Sequence, residues 1–106
     1  MRVLFDQGTP VPLREYLPNH EVRTVYELGW SRLQNGELLT KAEAAGFDAL
    51  LTTDRNLRYQ QDLSNRSIAI LVLTTTSWPR IRVAAGDVAA LVEAVSSGES
   101  VEIEIP

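Results

Sequence analysis

Ser67-Ile68-Ala69-Ile70-Leu71-Val72-Leu73-Thr74 is the most apolar run in the sequence, and its reading decides the fold. Its β-branched content suits a pleated strand. A strand that is apolar without alternation belongs inside a parallel sheet, covered on both faces. Upstream, Phe47-Asp48-Ala49-Leu50-Leu51-Thr52-Thr53 reads as another strand, with Asp54 at its end. Nearer the start, Arg2-Val3-Leu4-Phe5 reads as a buried strand that closes on Asp6. Residues 21–25 (Glu-Val-Arg-Thr-Val) alternate polar and apolar, as a partly exposed strand does. Downstream, Val101-Glu102-Ile103-Glu104-Ile105 alternates cleanly and makes a last, half-exposed strand.

The intervening segments read as helices. Gln7-Gly8-Thr9-Pro10 is turn chemistry leading into a short helix over residues 11–17, which Pro18-Asn19 stops. Asn35 is expected to cap a helix running to about Ala45, with Leu38, Leu39, Ala42 and Ala45 on one face and Gly46 closing it. Residues 55–66 are polar and allow a helical turn or two. Ser77-Trp78-Pro79 is expected to open one long helix in which Ile81, Ala84, Ala85, Val88, Leu91, Val92 and Val95 keep helical spacing, ended by Gly98. Strands alternating with helices predict a single α/β domain over residues 1–106. The expected form is a three-layer α/β/α arrangement around a mostly parallel sheet of about five strands, joined by right-handed crossovers.

The bulk properties fit one such domain. At 106 residues the chain is long enough for a real core and too short for two. It has no cysteine, which removes disulfides, thiolate metal sites and cysteine nucleophiles. No stretch approaches the roughly 20 apolar residues of a membrane span, and the start reaches Asp6 too soon for a secretory signal. A soluble cytoplasmic protein, with no membrane partner, is therefore expected. A net charge of −4 argues against a general nucleic-acid binder, and leaves room for a basic patch beside an acidic, metal-loaded site.

In open α/β sheets, sites gather outside the carboxyl ends of the strands. Asp6 and Asp54 stand at two such ends, and Glu37 opens the helix that leads into the second of these strands. If that helix starts near the same edge, three carboxylates converge. Two carboxylates about 4 Å apart repel by roughly 4 kcal/mol at an effective dielectric near 20, so a cluster of three calls for a proton, an arginine or a cation. Oxygen-only ligation suits Mg²⁺ or Mn²⁺, which clamp a phosphodiester and activate water. Each residue also has a plain structural use: an Asx turn for Asp54 ahead of Asn56, and complementing the helix dipole for Glu37. Asp6 has no helix start nearby to cap. Arg55 and Arg58 follow Asp54 and are placed to hold phosphate or simply to form a solvated face, and Tyr59-Gln60-Gln61 to meet a base or ribose. The single histidine, His20, lies in a loop and reads as a surface residue, and Trp30 and Trp78 read as packing residues. No Gly-x-Ser-x-Gly, Gly-x-Gly-x-x-Gly or Gly-x-x-x-x-Gly-Lys motif occurs.

These residues, in this order, resemble the small single-domain PIN-like proteins, relatives of the VapC-type ribonuclease toxins. The resemblance spans nearly the whole chain. It rests on Asp6-Gln7-Gly8-Thr9-Pro10, on Asn35-Gly36-Glu37-Leu38-Leu39, and on Thr52-Thr53-Asp54-Arg55-Asn56-Leu57. It implies a PIN-like fold and a Mg²⁺- or Mn²⁺-dependent endoribonuclease, often encoded beside a small antitoxin partner. Asp6, Glu37 and Asp54 would be its catalytic, metal-binding carboxylates. RNA would be the substrate, contacted by Gln7, Arg55, Asn56 and Arg58. Many relatives carry acids where this chain has Gln7 and Asn56. That difference favours the alternative expectation, a PIN-like module that binds a protein partner without hydrolysis. A receiver-like phospho-acceptor would need a lysine near the last strand, and the only lysine, Lys41, lies in a middle helix. The half-exposed last strand allows pairing across a homodimer, and its glutamates equally discourage it.

Overall fold

In a computed structural model the five apolar stretches form one sheet, parallel throughout, in the order β2-β1-β3-β4-β5. The strands are β1 (Arg2–Phe5), β2 (Glu21–Thr24), β3 (Ala49–Thr52), β4 (Ala69–Leu73) and β5 (Ser100–Ile103). The structure describes residues 1–60 and 62–106. The side chains of Arg58 and Gln60 lie outside that description, as does Gln61, and with them the contacts expected of these three residues. Every residue of β3 and β4 is buried, as their unbroken apolar runs require. The alternating sequences went to the edges, with β2 exposing every second residue and β5 mostly half-buried.

The pleat sends alternate residues to two separate cores. Val3 and Phe5 of β1, Leu51 of β3 and Leu71 of β4 face one cluster, while Leu4, Leu50, Ile70 and Val72 face the other. The first face is covered by the 3₁₀ helix Val11–Tyr16 with α3 (Trp78–Val83) and α4 (Ala85–Ala94). The second is covered by α1 (Asn35–Ala44) and α2 (Leu57–Gln60). The result is a single α/β domain of three layers, with a radius of gyration of 12.4 Å.

Local chemistry explains the helix ends. The N-cap of α1 is Gln34, without a side-chain capping bond; Asn35 lies inside the helix and does not cap it. At the other end Phe47 N–H donates to the Ala42 carbonyl and Gly46 N–H to that of Glu43, a Schellman pair. Gly46 takes φ 84°, where a side chain would be strained. Arg2 reaches across from β1 to donate to the Ala45 carbonyl and lies over the Phe47 ring, 4.3 Å from its centroid. A cation at this end also complements the helix dipole.

The expected single long helix is two. Ala84 (φ −97°, ψ 8°) breaks it, donating its N–H to the Ile81 carbonyl three residues back at 2.9 Å. Gly86, a weak helix former, follows at once. Ile81, Ala85, Val88 and Val92 keep the i, i+4, i+7, i+11 spacing of one face across the break and share one core, while Val83 stays 87% exposed. Nor does Gly98 end the second helix: α4 stops at Ala94. Gly98 turns instead (φ 77°), with its N–H on the Ser67 carbonyl at 2.8 Å, and a Cβ there would stand 2.9 Å from the Arg66 carbonyl.

The crossovers also depart from expectation in one place. The connections β2 to β3 and β4 to β5 step the same way along the sheet but lie on opposite faces, so they have opposite hands. The first two and the β3 to β4 connection share one hand, and only the last differs. Covering area accounts for it. Without α3 and α4, a six-residue 3₁₀ helix alone would shield Val3, Phe5, Leu51 and Leu71. The last connection therefore folds back to pack beside the 3₁₀ helix.

Glu43 fastens α1 to the entry of β4. Its carboxylate pairs with Arg66 at 2.7 Å and accepts the Ser67 N–H at 2.7 Å and the Ser67 hydroxyl at 3.0 Å. Burial raises the carboxyl's pKa, but the Arg66 and Ser67 hydrogen bonds together outweigh it and hold it below the ordinary 4.5. A depressed folded-state pKa contributes stability above the unfolded value that is lost as pH falls through the folded one. Thermal melts from pH 6 to 3 should therefore show Glu43→Gln with a shallower acid decline than wild type. Parallel declines would remove Glu43 from the acid transition. Among the described residues, no helix is long and apolar enough to cross a membrane.

Candidate functional site

The strand order reverses between β1 and β3. After β1 the chain leaves towards one face and after β3 towards the other, which is where open α/β sheets form their sites. Asp6 follows β1 and Asp54 lies two residues beyond β3, so both expected aspartates flank this point.

A residue between them joins the two. Thr52 is completely buried at the end of β3, and a buried hydroxyl needs partners. Its Oγ1 donates to Asp6 Oδ2 at 2.8 Å and accepts the Asp54 N–H at 3.0 Å. Asp6 is held further by its own N–H on the Leu51 carbonyl (3.0 Å) and by the Gln7 N–H on Oδ1 (2.7 Å). Thr9 closes the turn, with its hydroxyl on the Leu51 carbonyl at 2.7 Å. Gly8 lies against Thr53 so closely that a Cβ would collide with the Thr53 hydroxyl. This close approach, and no positive φ, is what requires glycine there.

Asp54 makes the Asx turn that its spacing from Asn56 allows, with the Asn56 N–H on Oδ1 at 3.0 Å. Asn35 extends its amide to Asp54 Oδ2 at 3.4 Å, so the start of α1 does come to this edge of the sheet. Glu37, in the first turn of α1, is exposed. Among the described residues, no three His, Asp or Glu side chains stand together as a metal-ligand group, and no ion pair joins a basic side chain to Asp6, Glu37 or Asp54. Arg55 is engaged with Glu102 on β5, 3.3 Å away. Gln7 and Asn56 are both exposed beside the aspartates. His20 is not a surface residue: its side chain is 5% exposed, with Nε2 2.9 Å from Glu93 Oε1. Trp30 packs edge-on against Phe47 and Trp78 against Tyr16, as packing residues should.

The oxygen donors fit a hard divalent cation. Mg²⁺ keeps much of its water shell and binds through one or two carboxylates plus substrate phosphate, and carboxylate is the donor type that Asp6 and Asp54 offer. Thr52 and Asn35 both stand in the stretches that carry the resemblance, but nothing in the sequence assigns either a part in the site, and Asn35 is expected from it only to cap a helix. A threonine closing an otherwise apolar, buried strand is the signal for the first; nothing local signals the second.

A cavity of about 300 Å³ adjoins Asp6 on the β2 side. One wall is an ion pair, Arg14 Nη2 to Glu27 Oε1 at 2.6 Å and Nη1 to Oε2 at 3.2 Å. The Thr24 N–H secures Glu27 at 2.8 Å. The Arg14 hydrogen bond, with help from Thr24, holds the Glu27 carboxyl below the usual range.

Fold and site together define a parallel α/β domain with two tethered aspartates at the reversal of its strand order. No family model, curated protein or solved structure matches the chain.

Proposed function

We propose that the protein is a PIN-like, divalent-metal-dependent endoribonuclease whose active edge is centred on Asp6 and Asp54. The observation that supports this reading is the Thr52 bridge, which holds two aspartates at neighbouring strand ends with lone pairs to spare. Mg²⁺ or Mn²⁺ would be held by Asp6 and Asp54, with Glu37 completing the set through water or by a rotamer change. When bound there, such a cation would supply positive charge to a phosphodiester and would make its bound water more acidic. The chain's own contribution is position: Thr52 and the Gln7 N–H fix the Asp6 carboxylate, and the Asx turn and Asn35 fix that of Asp54. Arg55, exposed and only loosely paired with Glu102, is free to swing to a phosphate.

The test is calorimetric titration of wild type and Asp54→Asn with Mn²⁺ and Mg²⁺. Binding in wild type that the substitution removes is the expected result. Wild type that binds neither metal, with its fold intact, would sink the proposal. A small antitoxin encoded next to the gene, able to block cleavage, would extend the reading to a toxin of a toxin–antitoxin pair.

Gln7 and Asn56 favour a second reading, a non-hydrolytic module that binds a protein partner. Fewer carboxylates mean weaker metal binding, and the same titration decides between the two.

A further inference from the structure

We propose that the cavity beside Asp6 is a base-binding subsite, taking the heterocycle of a single-stranded ribonucleotide; the inference rests on the nuclease reading above. At about 300 Å³ the cavity lies at the small end of ligand sites, with room for one base and its sugar but not for a folded partner. Its opening carries two large side chains that fold without burying themselves, Tyr26 at 83% and Val11 at 54% exposure. An exposed tyrosine beside an apolar wall suits a flat aromatic ligand, since bases stack on such side chains whatever their sequence.

The polar wall separates a base from a phosphate. Among the described residues Arg14 is the one cation lining the cavity, and Glu27 already neutralises it through two hydrogen bonds. Asp6 adds a further negative charge at the rim. An anion is therefore repelled, while a neutral ring with donors and acceptors on its edge is not. Glu27 and the Gln7 amide offer such groups, and Arg14 Nε is buried without a hydrogen-bond partner in the structure. Asp6 belongs to both the cavity and the aspartate pair, so a nucleotide with its phosphate at the aspartates has its base within reach of this recess.

The experiment is an amide-resonance titration of the full chain, in EDTA, with adenosine, guanosine, cytidine and uridine in turn. At least one nucleoside should shift the amides of residues 11–14 and 24–27. Tyr26→Ala should weaken that binding about tenfold and Tyr26→Phe should restore it. Tyr26 is exposed enough that neither change threatens the fold. Three results would overturn the subsite: no shifts with any nucleoside at about 10 mM, equal affinity in Tyr26→Ala, or equal shifts from inorganic phosphate. A short peptide that shifts these amides where nucleosides do not would overturn it as well. Because no metal is present, nucleoside binding supports the subsite whatever cleavage assays show. Cleavage without nucleoside binding overturns the subsite and leaves the nuclease reading in place.

Discussion

Asp54→Asn should lower RNA cleavage by about 100-fold or more, since even groups that only support a metal ligand are worth 10–100-fold. The fold should be untouched. An asparagine oxygen still accepts the Asn56 N–H, and Asn35 has only to turn its amide round to meet the new NH₂. Asp6→Asn should be equally inactive but slightly less stable. Asp6 uses both oxygens as acceptors, one for Gln7 N–H and one for the Thr52 hydroxyl, and asparagine has one oxygen to offer. Cleavage of a mixed single-stranded RNA pool with Mn²⁺, beside thermal melts of each variant, checks both. Wild-type rates in both variants would mean that neither carboxylate takes part in the chemistry.

Phe5→Ala should have the largest effect on stability, about 3–5 kcal/mol. Phe5 is fully buried between the sheet and the layer made by the 3₁₀ helix, α3 and α4, and pairs in register with Leu51. Few side chains lie close enough to collapse into the space, because β3 and β4 beneath are buried and already packed. For a domain whose total stability is on the order of 5–15 kcal/mol, that is a large fraction. Urea denaturation should show a lower midpoint with an unchanged slope. Phe5→Leu, which refills most of the volume, should cost clearly less. A loss below about 1 kcal/mol for the alanine variant would mean that β1 is not packed as described. Since Phe5 is joined directly to Asp6, the alanine variant should also bind metal more weakly than its folded fraction explains.

Much was legible from sequence because it is local. An unbroken apolar run marked β4 as an interior strand, and alternation marked β2 and β5 as partly exposed, since burial on two faces or one leaves different patterns. The turn after Asp6, the closure of α1 at Gly46 and the Asx turn at Asp54 follow from properties of single residues and their near neighbours. The position of Asp6 and Asp54 at strand ends was visible for the same reason.

What needed the tertiary structure depends on distant partners. A continuous helical pattern from Trp78 to Val95 does not reveal the break at Ala84, because the apolar spacing runs through it unchanged. The need to cover the sheet face that the short 3₁₀ helix leaves open sets the opposite hand of the last crossover. Asn35 lies inside α1 and its amide N–H reaches Asp54, 19 residues away, only because α1 packs at this edge of the sheet. Arg14 and Glu27, 13 residues apart, become one wall of a cavity only when β2 lies beside β1. The sequence by itself determined the strands, their burial and the aspartates at their ends, since those follow from side-chain pattern. Only the three-dimensional packing decided which groups share a hydrogen bond, a charge or a cavity, since those depend on which strand lies next to which.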